Sequence, residues 1–174
     1  MTSTSDGLKR LLHSRLHHYL HVFESTVSTE IAAFADLARV KGISSIPSHM
    51  TSVHVIDCIG RHEPVNNTSI AEKMNLSKAS ITKISAKLLK EGFVKRSQLN
   101  DNKKEVYFSL SAKGRQIYEV HAMMHDKIEE SFIRALDAFS ETELAASLKF
   151  IQTLIDQTGD FLKEGGSGAT HMDD

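Results

Sequence analysis

The 174-residue chain is 40% hydrophobic and 25% charged, with a formal net charge of −1, which is ordinary globular composition and excludes a disordered or fibrous chain. No run approaches the roughly 20 apolar residues that cross a bilayer, and the polar residues 1–7 lack an apolar export core, so the expectation is no membrane association and a cytoplasmic location. The single cysteine, Cys58, excludes an intrachain disulfide framework.

Residues 8–38 place Leu8, Leu11, Leu12, Leu16, Leu20, Phe23, Val27, Ile31, Phe34 and Leu37 at helical spacing, predicting one long helix. Its apolar surplus suits burial against a second subunit. Gly42 and Pro47 mark a loop. A short helix follows over residues 50–59, ended by Gly60 and a turn through Pro64. A second short helix covers 68–74, with Asn67 or Thr68 as its cap. After a turn, Ser77 caps a third helix that Gly92 terminates. Residues 93–98 and 105–110 are β-prone runs joined by a polar tip, which predicts a hairpin. Ser111 caps a long helix to about residue 138. Ser140 with Glu143 forms a capping box for a last helix to about residue 162.

The expected fold is mainly α: a winged helix-turn-helix with a helical dimerisation platform built from N- and C-terminal helices. The expected organisation is a dimerisation helix and loop over 1–49 and a winged helix-turn-helix lobe over 50–110. C-terminal dimerisation helices follow over 111–163, and then a flexible Gly/Ser-rich tail over 164–174.

Charge is unevenly placed. Residues 77–104 contain eight lysines and arginines opposed only by Glu91 and Asp101, a net +6 in a chain whose total is −1. Such a basic segment is the electrostatic footprint of a nucleic-acid reader, although the same lysines also suit a solvated helix face. In the two short helices around residue 76, Ile70, Ala71, Met74 and Leu76 face Ile81, Ile84, Leu88 and Leu89, so the pair can share a small core. The opposite face of the second helix offers Ser77, Lys78, Ser80, Thr82, Lys83 and Lys87. Short hydroxyls near a helix N-terminus reach base edges, and lysines farther along reach phosphates.

The run Leu88-Leu89-Lys90-Glu91-Gly92-Phe93-Val94-Lys95-Arg96, followed by Asp101 to Lys104 and then Leu110-Ser111-Ala112-Lys113-Gly114, resembles the MarR family of regulators. That family ends its helix-turn-helix in "L-x-x-x-G-h-V-x-R", h being apolar, and continues as "D-x-x-R…L-T-x-x-G". Lys104 stands where an arginine is usual, and Asn102 where many members have a second aspartate. The resemblance extends over about residues 8–162. It implies a homodimeric transcriptional repressor that reads a pseudo-palindromic operator in double-stranded DNA. Lys103 and Lys104 on the wing would enter a narrow minor groove, which attracts cations.

Among ten histidines, three pairs stand four apart: His13/His17, His17/His21 and His121/His125. Residues four apart share a helix face, the spacing with which two imidazoles grip one ion, and neutral imidazole suits Zn²⁺. The same spacing also suits ordinary platform residues. The pair His121/His125 on the helix after the wing resembles the zinc-responsive branch of the MarR family. That branch adds a histidine at the start of the helix before the helix-turn-helix and a glutamate from the first long helix. The resemblance implies a Zn²⁺ site of Glu30, His54, His121 and His125, with zinc as co-repressor of metal-uptake genes.

His13, His17, His18 and His21 form a separate group, open to a further metal, to pH sensitivity or to a plain solvated face. Two other sensing modes stand beside zinc: a small aromatic ligand, and oxidation of Cys58, which needs an accessible thiolate. An apolar setting between Ile56 and Ile59 favours an inert thiol instead. A zinc-dependent enzyme is the alternative of another class. It would need an open coordination position and a general base, and no H-E-x-x-H, phosphate loop or nucleophile elbow is present.

Overall fold

The computed structural model describes residues 4–27, 29–98 and 105–166. The predicted first helix is in fact two: α1 (Thr4–Val27) and α2 (Glu30–Val40). The break falls in Ser25-Thr-Val-Ser-Thr29. The hydroxyls of Ser25, Thr26 and Thr29 donate to carbonyls three residues back, at 2.6, 2.7 and 2.8 Å. Side chains that take backbone acceptors compete with the next helical turn, and this outweighs the apolar periodicity that runs through the segment.

α3 (Met50–His62) runs past Gly60, where the sequence predicted its end. The stop comes from Pro64, which forces Glu63 into extended backbone at ψ 141°. Gly60 is present for another reason. A Cβ there would lie 2.6 Å from the Tyr118 ring and 2.9 Å from a Leu110 methyl.

A two-residue strand, β1 (Val65–Asn66), follows; it is too short to show any alternation and was not predicted. Then come α4 (Asn67–Met74) and α5 (Lys78–Lys90), β2 (Val94–Ser97) and β3 (Tyr107–Leu110). The strands form one antiparallel sheet in the order β1-β3-β2, with Val65 opposite Phe108 and Val94 opposite Leu110. The predicted wing thus gains a third strand that ties it back to the end of α3.

The cap of α4 is Asn66, one residue earlier than expected. Its Oδ1 accepts the Ser69 amide at 2.9 Å, and its Nδ2 donates to Glu105 at 2.8 Å. One side chain therefore caps a helix and holds the edge of the wing. Asn66→Ala is expected to lower stability by about 1 to 2 kcal/mol, read from the urea midpoint.

α5 opens on Ser77, whose hydroxyl accepts the Ser80 amide, and closes before Gly92 at φ +78°. Its inner face is Ile81, Ser85 and Leu88, all buried. Leu89 and Leu76, predicted to be inside, are 38% and 36% exposed. Leu89 lies about 100° round the helix from Leu88, which turns it off the core. Ser85 takes the central place because Asn67 accepts its hydroxyl at 2.8 Å. The core continues through Phe34, Val53, Ile56, Ile59, Ile70, Phe93 and Ile117, each at most 1% exposed. Each such side chain stabilises the lobe by about 1.5 to 3 kcal/mol.

α6 (Ala112–Leu136) opens on Ser111, which accepts the Gly114 amide at 3.0 Å as predicted. Glu63 braces this junction. One of its oxygens accepts the Leu110 amide at 2.6 Å, and the other pairs with Arg115.

The chain divides into two compact units, Met1–Asp126 and Lys127–Asp174, with the boundary inside α6. The second unit holds the end of α6 and α7 (Glu141–Gly166). The predicted capping box is present: Glu143 accepts the Ser140 amide at 2.8 Å, and Ser140 accepts the Glu143 amide at 3.4 Å. α7 runs through Gly165 and Gly166, which the sequence placed in the tail; residues 167–174 lie outside the described residues. Among the described residues, no helix is long and apolar enough to cross a membrane.

Candidate nucleic-acid interface and metal centre

The turn between α4 and α5 sets the angle of the second helix. Asn75 takes left-handed backbone at φ 51°, a conformation that asparagine tolerates. Ser77 then restarts the chain as a helix. Ser77, Lys78, Ser80, Thr82, Lys83 and Lys87 are all exposed, opposite the buried face of Ile81, Ser85 and Leu88. The hydroxyls are already engaged: Ser77 with Ser80 at 2.8 Å, and Thr82 donating to the Lys78 carbonyl at 2.8 Å. Their oxygens keep lone pairs, so they face outward as acceptors.

The lysines are not equivalent. Lys87 donates to Ser48 at 2.6 Å and lies 3.8 Å from Glu91, which ties α5 to the loop before α3. Among the described residues, neither Lys78 nor Lys83 has an ion-pair partner. Lys103 and Lys104, the predicted groove cations of the wing, lie outside the described residues.

The four predicted metal ligands come from three helices: Glu30 from the first turn of α2, His54 from α3, and His121 and His125 from α6. The structure sets them in one chain of neighbours. His54 Nε2 is 3.8 Å from Glu30 Oε1. The His54 and His121 rings have centroids 5.2 Å apart. His121 Nε2 and His125 Nε2 are 3.0 Å apart.

Asp57 is a fifth member that the sequence reading missed. Its Oδ1 is 3.3 Å from His121 Nδ1, and its Oδ2 is 2.8 Å from Arg61 Nε. The signal was available, since Asp57 is three residues after His54 and three apart is one helix face. The His121 contact is within ion-pair distance but off the line of a hydrogen bond, and so the buried Nδ1 has no hydrogen-bond partner. Burial pushes the pKa of His121 down, while the Asp57 carboxylate opposes this. The neutral imidazole, the form that binds metal, is thereby favoured.

Tetrahedral zinc with Zn–N bonds of about 2.0 to 2.1 Å has donor atoms about 3.3 Å apart. The His121/His125 pair is close to that edge, and the Glu30/His54 pair is somewhat wider. Nitrogen and carboxylate donors in this number suit a four-coordinate ion. Among the described residues, no three His, Cys, Asp or Glu side chains already converge as a finished cage. Glu30 and His54 are 27% and 40% exposed and so have room to turn. His54, Asp57, His121 and His125 border a cavity of about 400 Å³ that also meets Cys58, Arg61 and Lys73.

Cys58 is buried, and burial raises its thiol pKa, with the charge of Lys73 in opposition. That is the environment of an inert thiol. The α1 histidines His13, His17, His18 and His21 are exposed; the His17 and His21 rings meet edge-on with centroids 5.9 Å apart.

The MarR family profile matches residues 49–106, from the start of α3 to the wing. The HTH-type transcriptional regulator PchR of Bacillus subtilis (strain 168) is 49% identical over 150 residues, spanning 86% of this chain and 89% of that one. Among solved structures, Streptococcus pneumoniae FabT in complex with DNA aligns with a TM-score of 0.66 at 22% identity, over 86% of this chain and 99% of FabT. Lactococcus lactis ZitR, described as a zinc-responsive MarR family member, aligns with a TM-score of 0.61 at 22% identity, over 78% of this chain and 99% of ZitR.

Proposed function

The chain belongs to the MarR family of helix-turn-helix transcriptional regulators, and on that premise we propose that it is a zinc-responsive repressor. It binds a pseudo-palindromic operator as a homodimer and controls metal-uptake genes. α5 lies in the major groove, with Ser77, Lys78, Ser80, Thr82 and Lys83 outward and Lys87 at the edge. Lys103 and Lys104 belong to the wing that follows the adjacent groove. Pairing of two copies is supported by apolar side chains that a lone chain leaves in water. Leu8, Leu11, Leu12, Leu20 and Phe23 of α1 are about half exposed or more, as are Phe132, Ile133 and Ile151 in the second unit.

The observation that carries the zinc reading is the approach of His121 Nε2 and His125 Nε2 to 3.0 Å, beside His54 and Glu30. These four side chains would hold the ion, and zinc there supplies bonds joining α2, α3 and α6. α3 enters the DNA-binding lobe and α6 leaves it, so ligands on both helices couple the sensor to the spacing of the lobes. Coupling of this kind works only if the ligand set is better formed in the DNA-competent state.

The test is an operator gel shift with zinc added or removed by EDTA. Zinc is expected to tighten binding by about tenfold or more, within the usual range of coupling between two sites. His121→Ala should abolish that gain. Equal operator affinity with and without zinc would overturn the zinc reading and leave the repressor reading intact.

A further inference from the structure

We infer that Asp57 is the positioning residue of the candidate metal centre, gripping the buried edge of His121 so that the opposite nitrogen faces the ligand position. The inference deepens the zinc reading above and rests on it.

His121 is 2% exposed, and its two ring nitrogens face different neighbours. Nε2 is turned toward His125 at 3.0 Å. Nδ1 is turned into the protein, where the Asp57 carboxylate stands at 3.3 Å. An imidazole that gives its Nδ1–H to a carboxylate leaves the Nε2 lone pair for a metal, and the carboxylate fixes the ring plane as well. A nitrogen buried this deeply without a partner costs free energy until an acceptor is found, and Asp57 Oδ1 is the one at hand.

Asp57 is not itself placed as a ligand. It approaches the edge of the ring away from Nε2, and Arg61 holds both of its oxygens, Nε standing 2.8 Å from Oδ2 and a terminal guanidinium nitrogen donating to Oδ1 at 3.2 Å. Arg61 in turn steadies the carboxylate. α3 therefore carries both a ligand, His54, and the brace for a ligand on α6, three residues later on the same face.

The test uses the full chain, stripped of metal, with zinc affinity read by competition against a chromophoric chelator. Asp57→Ala is expected to weaken zinc binding by about 10- to 100-fold, the usual cost of losing an outer partner of a ligating histidine. Asp57→Asn keeps the shape and an acceptor oxygen but not the charge, and should fall between the two. It also supplies the readout if the alanine variant does not fold, which thermal melting of the metal-free proteins will show. Arg61→Ala, which removes the other partner of the carboxylate but leaves the carboxylate beside His121, should weaken binding clearly less than Asp57→Ala. Co²⁺ loaded into Asp57→Ala should show altered d–d absorption bands, because the ring is no longer held.

If wild type and both Asp57 variants bind zinc alike, the positioning role is wrong and the metal reading stands. If Arg61→Ala weakens binding as much as Asp57→Ala, the carboxylate acts through its ion pair along α3 and the inference is overturned. If wild type takes up no zinc, both readings fall.

Discussion

Reversing the charge at Lys83 is expected to lower operator affinity by about 100-fold or more while leaving the fold intact. Lys83 is exposed on the outer face of α5 and, among the described residues, has no ion-pair partner, so its removal breaks no ion pair. With α5 in the groove as proposed, a glutamate in its place would lose one phosphate contact and set a like charge against the phosphate. At about 4 Å that repulsion is worth roughly 1 to 4 kcal/mol, depending on how much water intervenes. A dimer meets the effect twice. The salt dependence adds a second readout. Each lost phosphate contact should reduce the slope of log K against log salt by about 0.9, and so by about 1.8 for the pair. Lys83→Ala should show the change in slope with a smaller loss of affinity. An unchanged gel shift for Lys83→Glu would remove α5 from the groove.

Alanine at Gly114 is expected to destabilise the DNA-binding lobe by about 3 kcal/mol, at the upper end of the cost of overpacking. The added Cβ would stand 2.0 Å from the Phe93 carbonyl oxygen and 3.0 Å from its carbon. This is backbone, and it is fixed. The same oxygen accepts the Ser111 amide at 3.0 Å and the Ser111 hydroxyl at 3.0 Å. Relief requires α6 to move off the start of the wing and break the contacts that anchor it. The sign of the change is diagnostic. Without a close neighbour, glycine to alanine in a helix gains up to about 1 kcal/mol. Urea denaturation followed by circular dichroism decides between the two, and a rise in the midpoint would show that the helix start is not packed as described. Gly60→Ala is the milder comparison, because the groups it would meet are side chains of Tyr118 and Leu110 that can turn.

Local chemistry was the most legible part of the chain. Ser77, Ser111 and the Ser140/Glu143 pair were all readable as caps, because each cap is made within three residues. Features that depend on competition or on distant partners were not. The hydroxyl run at residues 25–29 breaks a helix whose apolar spacing continues through it. Gly60 looked like a helix end, but its neighbours Tyr118 and Leu110 come from much later in the chain. Ser85 is buried in place of Leu89 because Asn67, 18 residues earlier, supplies its acceptor. At the candidate metal centre, spacing picked out His121 and His125, resemblance added Glu30 and His54, and the structure makes the four neighbours. Asp57 was passed over because its partner, His121, lies 64 residues away and the two meet only once α3 and α6 pack. Spacing within one helix finds pairs such as His121 and His125 and sets Asp57 on the face of His54; that Asp57 meets His121 emerges only from the packing of the two helices.

Glu63 gives this lobe its mechanical character. By gripping the Leu110 amide and the Arg115 side chain together, it welds the end of α3 to the strand before α6 and to the first turn of α6. Rods clamped at one end do not slide past each other; they pivot. A change in the separation of His54 and His121, whose ring centroids stand 5.2 Å apart, is therefore expected to be taken up as rotation about that clamp. Glu63 is thus the point at which the end of α3, the strand before α6 and the start of α6 are held as one piece.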